Sequence, residues 1–152
     1  MKEDRLLCEN RKAYHDYFVF DKWEAGIALQ GSEVKSIREG NANLKDSYDR
    51  INAGEVFVVN LHISPYSYSH HISLDPTRTR KLLLKKREIE KIVGMMSQKK
   101  YACIPLKILF KRNLIKLEIA LAKRKKDYDK RQVLREKIHK KEMDQAIKKG
   151  FR

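Results

Sequence analysis

Two apolar segments near the end of the chain constrain its fold most strongly. Residues 101–110 (YACIPLKILF) and 114–122 (LIKLEIALA) are separated by residues 111–113 (KRN) alone, and the second segment alternates between apolar and other residues. A period of two predicts a strand with one buried face, and so short a connection requires antiparallel pairing. The sequence therefore predicts a β-hairpin as the centre of a β-rich domain.

Two further pairs of short segments have the composition of strands. Residues 14–20 (YHDYFVF) and 24–29 (EAGIAL) are rich in aromatic, β-branched and small apolar residues, and we interpret them as strands joined in a hairpin. Residues 47–68 contain two apolar runs on either side of Ala53 and Gly54. Glycine in a short connection is typical of a hairpin turn, so a second hairpin is predicted there.

Two segments favour helices. Ser32 is a candidate N-cap, apolar residues follow at i, i+3 spacing, and Gly40 is a candidate helix end, which predicts one short helix. Residues 69–85 show little periodicity and are interpreted as a surface loop. A second helix is predicted over 86–98, where apolar residues share one face.

These elements indicate a mainly β fold with helices. About six short strands and two or three helices are typical of a small antiparallel OB-like β-barrel, and 152 residues suffice for one modest core. We expect residues 1–122 to form this barrel domain and residues 123–152 to form a basic tail.

The charge is unevenly distributed along the chain. Residues 123–152 carry 13 Lys or Arg and 5 acids, net +8, whereas the first 122 residues carry 22 basic and 15 acidic residues, net +7. A tail so charged and so poor in apolar residues is predicted to be largely disordered when free and partly helical when bound. A net charge of +15 predicts a polyanionic partner.

Several functional classes find no support in the sequence. Cys8 and Cys103 are distant and lack nearby histidines at ligand spacing, so we expect neither a disulfide nor a zinc site. Phosphate-cradling glycine motifs and catalytic serine or cysteine signatures are absent. The N-terminus lacks an apolar signal region and no segment is long enough to span a bilayer, so we expect a cytoplasmic protein without a membrane partner. We also expect it to be a monomer that needs no cofactor and has no catalytic activity.

The basic residues, in contrast, form clusters with aromatic neighbours. Lys12 precedes a segment rich in aromatic residues, Lys35 and Arg38 share one face of the first predicted helix, and alternation points Arg78 and Arg80 in the same direction. Distributed cations bind phosphates, and aromatic rings stack on unpaired bases, so RNA is the favoured partner. Glu24 is unusual as an acid among these cations. A carboxylate accepts hydrogen bonds from base amino and imino groups, which lysine and arginine side chains do not.

An ordered series of motifs strongly resembles the small protein B family, the SsrA-binding proteins of bacteria. The resemblance extends from about residue 8 to the end of the chain. The motifs are Asn10-Arg11-Lys12-Ala13, His15-Asp16-Tyr17-Phe18, Glu24-Ala25-Gly26, Gln30-Gly31-Ser32-Glu33-Val34-Lys35-Ser36, Asp46-Ser47-Tyr48, Asp75-Pro76-Thr77-Arg78-Thr79-Arg80-Lys81-Leu82-Leu83-Leu84 and Tyr128-Asp129-Lys130-Arg131.

The resemblance implies an OB-like barrel that binds the tRNA-like domain of transfer-messenger RNA (tmRNA) and escorts it to stalled ribosomes for trans-translation, without catalysis. The residues implied on or beside the RNA-facing surface are Asn10, Lys12, His15, Glu24, Lys35, Arg38, Arg80, Lys81 and Leu83. Those implied at the small-subunit decoding centre and mRNA channel are Lys123, Lys125, Lys126, Tyr128, Asp129, Lys130 and Arg131.

Two departures from the family pattern and two rival functions stay open. Arg124 replaces a usual glycine, which removes easy access to positive φ, and Lys85 replaces a polar amide or histidine.

One rival function is that of a general ribosomal or RNA-chaperone protein whose tail is a nonspecific polycation. The other is a metal-assisted nuclease that uses His70, His71 and Asp75, which lack diagnostic spacing.

Overall fold

Antiparallel strands and short helices make up the chain in the computed structural model, which describes residues 4–66, 74–126, 135, 137–141 and 143. The elements are β1 (Arg5–Glu9), α1 (Arg11–Asp16), β2 (Tyr17–Ile27), α2 (Gly31–Arg38), β3 (Ala42–Asn43), β4 (Tyr48–Asn52), β5 (Glu55–Val59), β6 (His62–Ile63), β7 (Arg80–Leu83), α3 (Lys86–Lys99), β8 (Ala102–Lys111) and β9 (Leu114–Arg124). The described residues of the tail, from 135 onward, are helical. The disorder of the free tail stays a prediction.

Seven strands form one antiparallel sheet in the order β1-β8-β9-β2-β7-β5-β4, and β3 pairs with β6 separately. The predicted hairpin of β8 and β9 is confirmed: it closes at Arg112 and Asn113, whose φ angles are 49° and 65°. Positive φ at both central residues matches the twist of the flanking strands. The hairpin of β4 and β5 is also confirmed, with Ala53 and Gly54 in its turn.

The sheet curls into the predicted OB-like barrel around an apolar core. Strand β4, at one end of the sheet order, packs against β8, which neighbours the strand at the other end. Helix α3 contributes Ile92 and α2 contributes Ile37 to the same core. The fully buried aliphatic side chains of the core include Ile37, Leu44, Val56, Leu61, Leu82, Ile92, Ile108, Leu117, Ile119 and Leu121.

The first predicted hairpin is wrong. Residues 14–16 belong to α1, and residues 17–27 form one continuous strand, β2. Helix α1 begins at Arg11, because the Oδ1 of the preceding Asn10 accepts a hydrogen bond from the Ala13 N–H (3.3 Å). The charged residues Asp21 and Lys22, which separate the two segments predicted as strands, lie at a bulge where the pairing of β2 with β9 shifts between Val19 and Lys22.

Both predicted helices are confirmed, with changes in their boundaries. Helix α2 is capped at Gln30 rather than Ser32, and the Gln30 N–H donates to Glu33 Oε1 (2.9 Å). Helix α3 extends one residue beyond the predicted range at its C-terminal end. Strands β1 and β7 were not predicted, because each is a short segment with charged residues. Strand β7 lies within the loop predicted over residues 69–85, so that prediction is wrong for residues 80–83, and residues 69–73 of the loop lie outside the described residues.

A buried carboxyl group lies where β4 meets β8. Asp49 is 5% exposed, and the Cys103 thiol donates a hydrogen bond to its Oδ2 (3.1 Å). Within the described part of the chain, Asp49 Oδ1 has no hydrogen-bond partner. Burial raises the pKa of Asp49 to about 7, and the bond from Cys103 opposes this only in part. Asp49 therefore titrates near neutrality inside the barrel.

We expect the Asp49→Asn variant to lose a pH dependence of stability that the wild-type protein has. Because the folded pKa of about 7 lies above the ordinary value of 3.8, the folded state binds more protons in that interval. The free energy of unfolding should then fall as pH rises through it, by up to about 1.4 kcal/mol per pH unit. Denaturant unfolding of both proteins between about pH 4 and pH 8 measures this. A difference between the two that stays constant with pH would show that Asp49 does not titrate there.

Candidate RNA-binding surface

A groove on the outer face of the barrel brings together three of the predicted RNA-binding residues, Glu24, Lys81 and Leu83. It lies across β2, β7 and β9 beside the start of α3. Strand register produces this arrangement, because Gly26 of β2 pairs with Leu83 of β7 on one side and with Lys116 of β9 on the other. We call this surface, formed by Glu24, Gly26, Lys81, Leu83 and Lys116, the sheet groove.

Gly26 allows Leu83 to lie across the floor of the sheet groove. A Cβ atom at position 26 would approach the Leu83 Cβ to 3.1 Å, so a larger residue would displace that side chain. Leu83 is nevertheless 55% exposed. An exposed leucine between charged residues is a candidate apolar contact for a base or ribose.

Two charged residues of the sheet groove, Glu24 and Lys81, form ion pairs at its surface. Lys111 Nζ donates to Glu24 Oε2 (3.1 Å), and Lys81 Nζ donates to Glu55 Oε1 (3.0 Å). All four side chains are at least one-third exposed. Exposed pairs of this kind contribute at most about 1 kcal/mol, so RNA can exchange for either partner at little cost.

Arg80, implied on or beside the RNA-facing surface, has a fully buried side chain. Arg80 Nε donates to Glu33 Oε2 (2.7 Å) and Nη1 donates to the Leu61 carbonyl (2.7 Å). Arg78 donates to the other oxygen of Glu33, so the two arginines do point in the same direction, as alternation predicted. Arg80 therefore positions β7, which carries Lys81 and Leu83, by tying it to α2.

Glu33 is the buried acceptor of this cluster and was not among the predicted site residues. Burial alone raises the pKa of Glu33, but the hydrogen bonds from Arg78, the Gln30 N–H and Arg80 outweigh burial and place the pKa below its ordinary value of 4.5. Glu33 is therefore ionised at neutral pH. In the sequence, Glu33 appears only as a member of the Gln30–Ser36 motif; its position as the third residue of a helix capped at Gln30 is evident from the structure.

Asn10, also implied on or beside the RNA-facing surface, has a structural role. It is 7% exposed, its Oδ1 caps α1, and its Nδ2 donates to the Pro105 carbonyl (2.9 Å). Lys12 and His15, on α1, are exposed. Lys12 donates to Asp46 (3.1 Å), and His15 Nδ1 lies 3.0 Å from Asp16 Oδ1. Asn10 thus fixes the helix that presents these two predicted residues.

Helix α2 presents the last two predicted residues of the barrel. Lys35 and Arg38 are exposed, with Lys35 Nζ 5.5 Å from the centre of the Tyr66 ring and the Arg38 guanidinium 5.0 Å from that of Phe110. Contacts of cations with aromatic faces hold these side chains against the surface while leaving their charge accessible. The described structure does not place them in the sheet groove.

The start of the tail belongs to the folded domain, two residues beyond the predicted boundary at residue 122. Lys123 and Arg124 pair with Phe18 and Tyr17 of β2, and the Lys125 N–H donates to the Asp16 carbonyl (2.8 Å). Arg124 is in a strand, so the lost glycine imposes no strain. The remaining predicted ribosome contacts of the motif, Tyr128, Asp129, Lys130 and Arg131, lie outside the described residues.

The groups that suggested metal chemistry are not assembled in the described structure. His70 and His71 lie outside it, whereas Asp75 accepts hydrogen bonds from the backbone and side chain of Thr77. In residues 4–66, 74–126 and the described tail positions, no cluster of three or more His, Cys, Asp or Glu could bind a metal ion. No helix among these residues is long and apolar enough to cross a bilayer.

Comparisons with known proteins agree with the motif series. The family model described as SmpB protein matches residues 7–149. The SsrA-binding protein of Clostridium botulinum (strain Hall) is 54% identical over 151 residues, covering 99% of this chain and 97% of the relative, and that of Clostridium perfringens (strain 13) is 51% identical with the same coverage. A chain of the solved structure described as "tmRNA-SmpB: a journey to the center of the bacterial ribosome" is 44% identical, with a TM-score of 0.66 over 78% of this chain and 84% of that one.

Proposed function

We propose, from the premise that this chain belongs to the SmpB protein family, that it binds the tRNA-like domain of tmRNA and delivers it to stalled ribosomes for trans-translation. The observation that carries this function is 54% identity to an SsrA-binding protein over nearly the whole length of both chains. The charge of the chain and the exposed sheet groove fit an RNA partner.

The sheet groove is the surface we assign to the tRNA-like domain. The Glu24 carboxylate would accept hydrogen bonds from base amino or imino groups, which only unpaired or irregularly paired bases expose. Lys81 and Lys116 would contact phosphates, and Leu83 would pack against a base or ribose. Lys12, His15, Lys35 and Arg38 extend the positive surface over α1 and α2.

The tail is assigned to the ribosome. Lys123, Lys125 and Lys126 leave the barrel beside α1, and the segment that follows would enter the decoding centre and the empty mRNA channel. In this function the chain acts in the cytoplasm as a monomeric adaptor between two RNAs. It needs no cofactor and performs no catalysis.

We expect Glu24→Ala to weaken binding to the tRNA-like domain about tenfold, although it removes a negative charge from a protein that binds a polyanion. Hydrogen bonds to a charged group contribute roughly 1.5–3 kcal/mol, which exceeds the gain from lower repulsion at an exposed site. Fluorescence anisotropy at about 0.2 M salt with excess bulk tRNA measures the specific affinity, because nonspecific binding is weak under these conditions.

Glu90→Ala is the matched control for this experiment. Glu90 is an exposed acid on α3 that lies on the face opposite Glu88 and Ile89, which line the groove. Its removal changes the net charge equally and should leave affinity almost unchanged. Tighter binding by the Glu24 variant would contradict recognition through the carboxylate. If excess bulk tRNA displaced the tRNA-like domain from the wild-type protein, a general RNA chaperone would be favoured.

A further inference from the structure

Two exposed aromatic rings and a third, partly buried one lie together at the end of the barrel where the tail begins. Phe18 and Phe20 of β2 are 41% and 44% exposed. Phe20 stacks on Tyr101, which precedes β8, with ring centres 4.6 Å apart and planes inclined by 14°. Isolated exposed aromatic residues are ordinary, but contiguous exposed rings mark an interaction site.

The bulge in β2 produces this patch. Before the bulge, Tyr17 and Val19 pack on the small cluster under α1, so Phe18 and Phe20 point to the opposite face. Beyond the register shift, Trp23 and Ile27 pack against the main core. The first two rings therefore lie on a face of β2 that the core does not cover.

Cations surround the rings. Lys125 Nζ lies 5.1 Å from the centre of the Phe18 ring, and Lys99 Nζ lies 6.0 Å from that of Tyr101. Lys123 is the cross-strand partner of Phe18, so its side chain emerges beside this ring. Flat π-faces next to positive charges are complementary to an unpaired nucleotide, which has a base to stack and phosphates to neutralise.

We propose that Phe18, Phe20 and Tyr101 form a stacking platform for an unpaired nucleotide of ribosomal RNA. The choice of ribosomal RNA rests on the proposed function, since the platform is continuous with Lys123 and Lys125, the residues that lead into the ribosome-directed tail. The residues of the sheet groove, assigned to tmRNA, are different ones.

Substitution of Phe20 by leucine in the full-length protein tests this proposal. Phe20→Leu keeps an apolar side chain but removes the stacking face, and we expect it to weaken binding to empty ribosomes roughly tenfold. Phe20→Tyr retains the face and should bind ribosomes as the wild type does. Affinity of both variants for the isolated tRNA-like domain should be unchanged, and this arm also verifies that they fold.

Cross-linking from p-azidophenylalanine at position 20 supplies an independent measurement on the folded protein. We expect photo-products with ribosomal RNA in the ribosome complex. Products with tmRNA or ribosomal protein instead, or wild-type ribosome affinity of Phe20→Leu, would overturn the platform. Failure of the wild-type protein to bind the tRNA-like domain would refute the proposed function itself, so the two failures are distinguishable.

Discussion

Removal of residues 127–152 is expected to abolish rescue of stalled ribosomes while leaving binding to the tRNA-like domain within about threefold of the wild type. The truncated chain retains the sheet groove and every described contact of the barrel. It loses nine Lys or Arg residues and five acids, a net change of only four charges, so the loss of electrostatic attraction to RNA is moderate. Anisotropy measures binding, and an in vitro translation reaction on a message without a stop codon measures rescue.

The structure determines where the cut is made. A deletion beginning at residue 123 would remove the pairing of Lys123 and Arg124 with β2 and the bond from Lys125 to Asp16. Such a variant would confuse loss of the tail with damage to the barrel. Ending the chain at residue 126 preserves these contacts and separates the two effects.

A scrambled tail is the matched control. A chain in which residues 127–152 are shuffled keeps the length, composition and charge of the natural tail. If the tail probes the mRNA channel through its sequence, the scrambled protein should fail in rescue as the truncated one does. Full rescue by the scrambled protein would support a nonspecific polycation, and loss of RNA binding on truncation would contradict the assignment of the two RNAs to two parts of the chain.

Local patterns were sufficient to predict the later hairpins. The segments that become β8 and β9 alternate over many residues, and the turn at Arg112 and Asn113 is too short for any other connection. In the first part of the chain the same reasoning failed, because the cap at Asn10 starts a helix, α1, that includes Tyr14 despite its strand propensity. The bulge near Val19 then let β2 continue past two charged residues.

The candidate site was predictable only where side chains face solvent. The motif series supplied Glu24 and Leu83, which the strand register brings to one groove. The burial of Arg80 was not predictable, because it depends on Glu33, 47 residues earlier in the chain, and on the Leu61 carbonyl. Partners so distant leave no local pattern. The burial of Asp49 against Cys103 has the same cause, a contact between strands 54 residues apart.

Glu33→Gln is expected to lower the free energy of unfolding by about 3–5 kcal/mol, the usual cost of leaving a buried charge without its partner. The glutamine cannot neutralise Arg80, whose side chain has no exposed surface. Because this ion pair anchors β7, the variant should also weaken tmRNA binding through Lys81 and Leu83, without itself touching RNA. Urea unfolding followed by circular dichroism measures the stability change.

Glu55→Gln is the control for this substitution. The ion pair of Glu55 with Lys81 is exposed on both sides, so its loss should lower the free energy of unfolding by less than about 1 kcal/mol.

Lowering the pH provides a second test of the ion pair between Glu33 and Arg80. The pKa of Glu33 is lowered in the folded protein, so its stabilisation is complete above the ordinary value of 4.5 and is lost as pH falls through the folded pKa. Below that pH, the free energy of unfolding of the wild type should therefore no longer exceed that of Glu33→Gln. Equal stability of the two proteins at neutral pH would show that Arg80 is satisfied by backbone carbonyls alone, and β7 would then need another anchor.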